Sequence, residues 1–271
     1  KLFPPKPLTK SSPSARAPSA SAILMPISNW DFLGTEWRFL IFGMAMAFWS
    51  SLGQTFFISL FSGQIRQALN LSHGDFGTYY AIATTASALS LIWLGKLADT
   101  IRLEKLTMAV LGSLCCSAIL FSQVSSLWML VGGLYLLRMF GQGMMTHVYT
   151  TAMARRYVST RGRAISIAQL GQTLSESIGP ASIVALLAFF DWRSLWIGLP
   201  IIAFCMLAPF IRYLTQRTRL QDGEGRDGLT SDQPWSEKTL VSQRQWRRSE
   251  VLRDPTFWLA LIWLAAVPLF V

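Results

Sequence analysis

Six apolar stretches, each long enough to cross a bilayer, follow one another along this chain, and a seventh opens at Phe257. A hydrocarbon core about 30 Å thick takes roughly 20 helical residues to span. Lipid offers no partner to backbone N–H and C=O groups, so segments of this kind close their own hydrogen bonds as helices. The expected spans are residues 37–61, 76–97, 106–124, 127–151, 164–190 and 194–214, with the start of another over 257–271. An all-α, polytopic membrane protein follows.

Composition supports the same class. Hydrophobic residues make up 52% and charged residues only 14%, against about 25% charged in soluble domains. The net charge of +10 does not point to nucleic acid, because the basic residues sit in loops between apolar spans instead of gathering on one face. They also fix the orientation. Lys96, Arg102 and Lys105 follow the second span, and Arg155, Arg156, Arg161 and Arg163 the fourth, whereas the first, third and fifth are followed by Arg66, no basic residue and Arg193. The N-terminus is therefore expected in the cytoplasm. Cys115, Cys116 and Cys205 fall inside spans without metal-ligand spacing and read as reduced packing residues; no metal or cofactor is expected.

Four segments are expected along the chain. Residues 1–24, rich in Pro, Ser and Ala, form a disordered tail; 25–214 form the six-helix transmembrane domain; 215–256 form a cytoplasmic loop; 257–271 begin a seventh helix. Within the loop, 235–251 has the pattern of a basic amphipathic helix suited to a bilayer surface.

After the second span the chain reads Gly95-Lys-Leu97-Ala98-Asp99-Thr-Ile-Arg102. This resembles the loop signature of the major facilitator superfamily, matching at Gly95, Leu97, Ala98 and Asp99, with Arg102 among the nearby positive charges. Thr100 stands where Arg is common, and Arg102 replaces the usual second Gly. The resemblance implies that Asp99 acts as a cytoplasmic latch between two access states. Arg138-Met-Phe-Gly141-Gln142-Gly143, in the fourth span, resembles the Arg-x-x-Gly-x-Gly motif of proton-coupled members of that superfamily. The resemblance also implies a bundle that alternates access by rocking two six-helix halves about a midplane site. This chain is expected to hold the first half, with the second half as its missing partner.

The residues themselves point to the same interior. Arginine at bilayer depth costs about 2.5–3.5 kcal/mol and normally faces a cavity or a partner. Gln142 lies one turn beyond Arg138, and Gln169, Gln172 and Glu176 form one polar face of the fifth span. Gln54, with Ser51, Thr55 and Ser59, gives the first span a polar face. Counting along antiparallel helices puts Arg138 and Glu176 at similar depth. Glu176 is expected to carry a coupling proton or pair with Arg138 in one access state, and Arg138 to bind an anionic group of the substrate. Gly171, Ser175 and Gly179 form a small-residue stripe for close helix packing.

The expected function is secondary active transport of a small solute, an organic anion or a drug-like molecule, coupled to protons, in the cell (inner or plasma) membrane. An intramembrane protease would need a nucleophile and base, and the chain has neither Gly-x-Ser-x-Gly nor a mid-span His. No enzyme is expected. A channel would need a carbonyl filter or acidic ring. The alternative reading is a non-transporting receptor or scaffold, or a truncated inactive fragment, of the same fold.

Overall fold

The computed structural model describes residues 29–95, 97, 101, 103–157, 160–217 and 253–266. Every regular element among them is helical. Helix α1 spans Asn29–Ser50, followed by one 3-10 turn, Ser51–Gly53, and an extended residue, Gln54. The chain resumes as α2, Thr55–Leu60, and α3, Ser62–Leu69. Asn70 ends α3 with a left-handed φ of 53°, a conformation Asn tolerates better than most residues. Helix α4, His73–Leu94, opens with a capping box: Ser72 Oγ accepts the Asp75 N–H at 3.1 Å, and the Asp75 carboxylate accepts the Ser72 N–H at 3.2 Å. Next come α5, Leu103–Ser122, and α6, Leu127–Leu137, the latter capped by Ser126. Residues Arg138–Met145 continue α6 as a π helix, and α7, Thr146–Arg156, completes that rod. Helices α8, Arg161–Leu187, and α9, Trp192–Arg217, finish the bundle.

The described residues fall into two units that divide after Asp227. The second contains α10, Pro255–Ala266, where the seventh span is expected.

Two departures from the expected spans matter. The first span is not continuous; it breaks at Ser51–Gln54. Moreover, among the described residues only Leu103–Ser122 and Trp192–Tyr213 are long and apolar enough to cross a bilayer on length and composition alone. The other helices are interrupted, or they carry amides, hydroxyls and charges, some lining the interior, as Ser87 and Arg138 do, and some exposed, as Gln169 and Glu176 are. Polar residues of either kind lower the hydropathy of the helix that holds them.

Packing pairs α1 with α8, α5 with α9, and α4 with α6, while the π segment touches α1, α4, α5 and α7 from the middle. Glycine makes the closest approach possible. A Cβ on Gly171 of α8 would run into the Met44 carbonyl of α1, so the small-residue stripe read from the sequence meets α1 where backbones touch. Buried hydroxyls mostly satisfy themselves locally: Ser50 donates to Ala47 O, Thr107 to Leu103 O and Ser117 to Ser113 O. A ring cluster closes the side expected to face outward, with Trp196 centred 5.6 Å from Phe57, 5.2 Å from Phe61 and 4.8 Å from Phe121. Arg193 donates to the Ser122 carbonyl and, at 2.9 Å, to that of Val124, capping the end of α5. Outside, Leu89, Trp93, Leu120, Trp128, Leu174 and Phe189 are exposed, an apolar coat suited to lipid.

Candidate functional site

Arg138 organises the centre of the bundle. It opens the π segment, and its side chain is only 8% exposed. Its Nη1 donates to Thr55 Oγ1 at 3.0 Å and to the Gly53 carbonyl at 3.4 Å. The guanidinium also lies 5.4 Å from the centre of the Tyr80 ring. Tyr80 in turn donates its hydroxyl to Thr55 Oγ1 at 2.9 Å. These contacts explain how irregular backbone survives at membrane depth: the break beside Gly53 is held by a cation from the neighbouring rod. Gly53 and Gly141 let the two backbones meet, because a Cβ on Gly141 would stand 2.6 Å from Gly53 Cα. Single-turn π distortions in helices recur at functional sites, and here the π winding begins at the arginine.

Beside Arg138 opens a cavity of about 400 Å³, lined among others by Gln54, Thr84, Ser87, Arg138, Gln142 and Gln172. Leu91 and Ala88 add an apolar wall. Its volume falls in the range of small-molecule sites. Several lining residues hold buried polar atoms with no hydrogen-bond partner among the described residues: Arg138 Nε, Gln142 Oε1, Thr84 Oγ1 and Thr146 Oγ1. Buried polar atoms are usually satisfied, and leaving one unpaired costs about 1–3 kcal/mol. Ser51 Oγ, Tyr149 OH, Thr160 Oγ1 and Trp196 Nε1, on residues outside the cavity lining, are in the same state among the described residues, so the polar character of the cavity rests on its lining side chains.

Of the residues expected on the transport pathway, the structure brings Arg138, Gln142, Gln172 and Gln54 to this one cavity. Glu176 stands apart from them. It is exposed on α8 and accepts a hydrogen bond from Gln172 Nε2 at 2.9 Å. Arg138 and Glu176 thus have separate partners in this conformation, and the carboxylate reaches the cavity only through Gln172. Matching depths along two helices did not fix the rotation of each helix about its axis. Of the first-span face, Gln54 lines the cavity and Thr55 holds Arg138, while Ser59 bonds the Phe56 carbonyl.

In the loop signature, Gly95 accepts a hydrogen-bond contact from His147 Nε2 at 3.0 Å, and Leu97 packs on the core. Ala98, Asp99 and Arg102 lie outside the described residues, as do the N-terminal tail and the basic segment 235–251.

Sequence reasoning missed Tyr80, Thr84 and Ser87. Their i, i+4, i+7 spacing on α4 was the available signal. It also missed a tie on the side expected in the cytoplasm. Arg156 Nε and Nη2 donate to Glu36 Oε2 at 3.0 and 2.7 Å, and the Tyr157 hydroxyl donates to the same oxygen at 2.9 Å. Arg156 lies 4.6 Å from the centre of the Phe39 ring. Burial, together with the adjacent Glu36 carboxylate, pushes the Tyr157 phenol well above its usual range.

A family model described as Major Facilitator Superfamily matches residues 39–271. No curated protein matches the chain.

Proposed function

This chain belongs to the major facilitator superfamily, an integral membrane transporter family, and from that premise we propose that it moves a small organic anion by alternating access coupled to protons. The observation that carries this reading is the cavity beside Arg138, where a buried cation, three glutamines and a broken helix converge. Discontinuous helices with freed backbone groups are a recurrent device at transporter midplanes. In this reading Arg138 attracts the anionic group, and Gln54, Gln142 and Gln172 orient the solute. Glu176 takes up and releases the coupling proton, and its bond to Gln172 transmits its charge state to the cavity. A second six-helix half, the bilayer and protons are the proposed partners. The Gly95 to Arg102 loop, with Asp99, serves as the cytoplasmic latch, and the cell membrane is the proposed location.

The test uses vesicles reconstituted with the protein and loaded with a pH-sensitive dye, challenged with pools of small organic acids. Saturable, acid-dependent proton movement that Glu176→Gln abolishes, while solute binding persists, is the expected result. Full proton-coupled uptake by Glu176→Gln would remove the coupling role from this residue.

A further inference from the structure

We propose that His147 is a positioning residue of the transport cycle: its bond to Gly95 braces the end of α4 expected in the cytoplasm against the neighbouring rod in one access state and is released in the other. This role rests on the alternating-access reading above and adds a residue to it. Helix α4 and the rod built from α6, the π segment and α7 meet at several levels. The Arg138 guanidinium lies over the Tyr80 ring, Tyr135 donates its hydroxyl to Ser90 Oγ at 2.9 Å, and a Cβ on Gly143 would stand 3.2 Å from Leu91 Cδ1. Further along, His147 Nε2 lies 3.0 Å from the Gly95 carbonyl oxygen. A carbonyl only accepts, so Nε2 carries the proton of this bond.

Position gives the bond its consequence. Gly95 closes α4, with its N–H on the Leu91 carbonyl, and it is also the first residue of the loop signature. Leu91, one turn back, lines the cavity. On the rod, Thr146 lines the cavity and His147 is the next residue. The bond therefore ties two cavity-lining elements together where the signature loop leaves the bundle. The last carbonyls of a helix have no partner within it, and here a neighbouring helix supplies one. A bond kept equally in both access states would bias neither. The π segment, which ends at Met145, gives it a way to differ. Each residue of helical register is about 100° of rotation, so even a partial change of winding there turns α7 and withdraws His147 from Gly95.

The experiment reads the balance of access states from a thiol placed in the cavity wall by Ala88→Cys. Cys116→Ala and Cys205→Ala remove the exposed native thiols, and Cys115 is buried. A membrane-impermeant thiol reagent is added to right-side-out and to inside-out membrane vesicles, and the ratio of the two labelling rates is taken. His147→Leu has no donor and frees the end of α4 that carries the signature loop. It should raise labelling from the cytoplasmic side, relative to the other, by about 2- to 10-fold, the shift that one net hydrogen bond produces. In His147→Gln the amide nitrogen stands as many bonds from the backbone as the imidazole Nε2, and the parent ratio should return. His147→Asn, one bond shorter, should behave as His147→Leu does, and it replaces that variant if the leucine protein does not fold. A bond that only stabilises the fold would lower the melting temperature and leave the ratio where it was. A ratio that stays unchanged in the Leu and Asn variants, moves the opposite way, or is not restored by Gln overturns the role of His147 while access from both sides stands. Labelling of the parent from one side alone overturns the alternating-access reading, and this role with it.

Discussion

Adding one methyl group at Gly141 should separate the two backbones that meet at the centre of the bundle. A Cβ there would lie 2.6 Å from Gly53 Cα, 2.8 Å from Gly53 N and 3.2 Å from Ser50 O. All three are backbone atoms, so no side-chain rotation relieves the overlap, and the rods must part. Overpacking of this kind costs about 1–3 kcal/mol. Alanine also gains about 0.5–1 kcal/mol over glycine from reduced backbone freedom in a helix, which obscures the cost in a single variant. Gly112 supplies the control. It sits within α5, where an added Cβ meets nothing within 4 Å, so Gly112→Ala should be stabilising by about 0.5–1 kcal/mol. The difference between the two variants isolates the overpacking, about 1–3 kcal/mol, or about 5- to 150-fold in the folded-to-unfolded ratio. Reversible unfolding in mixed detergent micelles, followed by tryptophan fluorescence, measures it. Equal stabilisation by both substitutions would refute the claim that Gly53 and Gly141 hold the rods in backbone contact.

Three further outcomes are expected. Glu36→Ala leaves Arg156 and the Tyr157 hydroxyl without their shared acceptor and should destabilise the protein by about 1.5–3 kcal/mol; a double-mutant cycle with Arg156→Ala should show strong coupling, and additivity would deny the tie. Arg193→Gln removes the guanidinium from the Ser122 and Val124 carbonyls and should speed amide exchange across the interface of α5 with α9, whereas unchanged exchange would show that the cap contributes nothing. The Ser72 hydroxyl and backbone N–H hold the Asp75 carboxyl below its ordinary value of 3.8. Because the folded value is the lower one, the capping box contributes its full stability above about pH 4. That contribution is lost as pH falls through the depressed value, so amide exchange in the first turn of α4 should rise there in the native protein and already be high at neutral pH in Asp75→Ala.

What could be read beforehand follows from what membrane insertion penalises. Arg138, Gln142 and Gln172 stand out inside apolar spans because buried charge and amide groups demand a reason to be there, and all three reach the cavity. Thr84 and Ser87 gave weaker notice, since small hydroxyls often bond their own helix, as Ser87 does to the Thr84 carbonyl. The break at Gln54 was hidden because Ser51, Gly53 and Gln54 sit in a run of otherwise suitable apolar length. Its support comes from Arg138, which bonds the Gly53 carbonyl from 85 positions away and which no local pattern encodes. Glu36 and Arg156 are 120 positions apart, and each alone resembles ordinary loop-end charge. For Glu176, counting residues along the helix says nothing of the direction it faces, which depends on how α8 is turned against α1, and that is set by contacts such as Gly171 on Met44.

The clasp between Arg138 and the broken first helix also constrains how this protein can acquire a new specificity. An arginine that touches only solute is free to vary; this one is fastened to Gly53 and Thr55, so its replacement would disturb the scaffold as well as the recognition proposed for the cavity. Changing Arg138 therefore perturbs scaffold and cavity together, whereas Gln142 and Thr84 line the same cavity and their side chains take no part in that clasp.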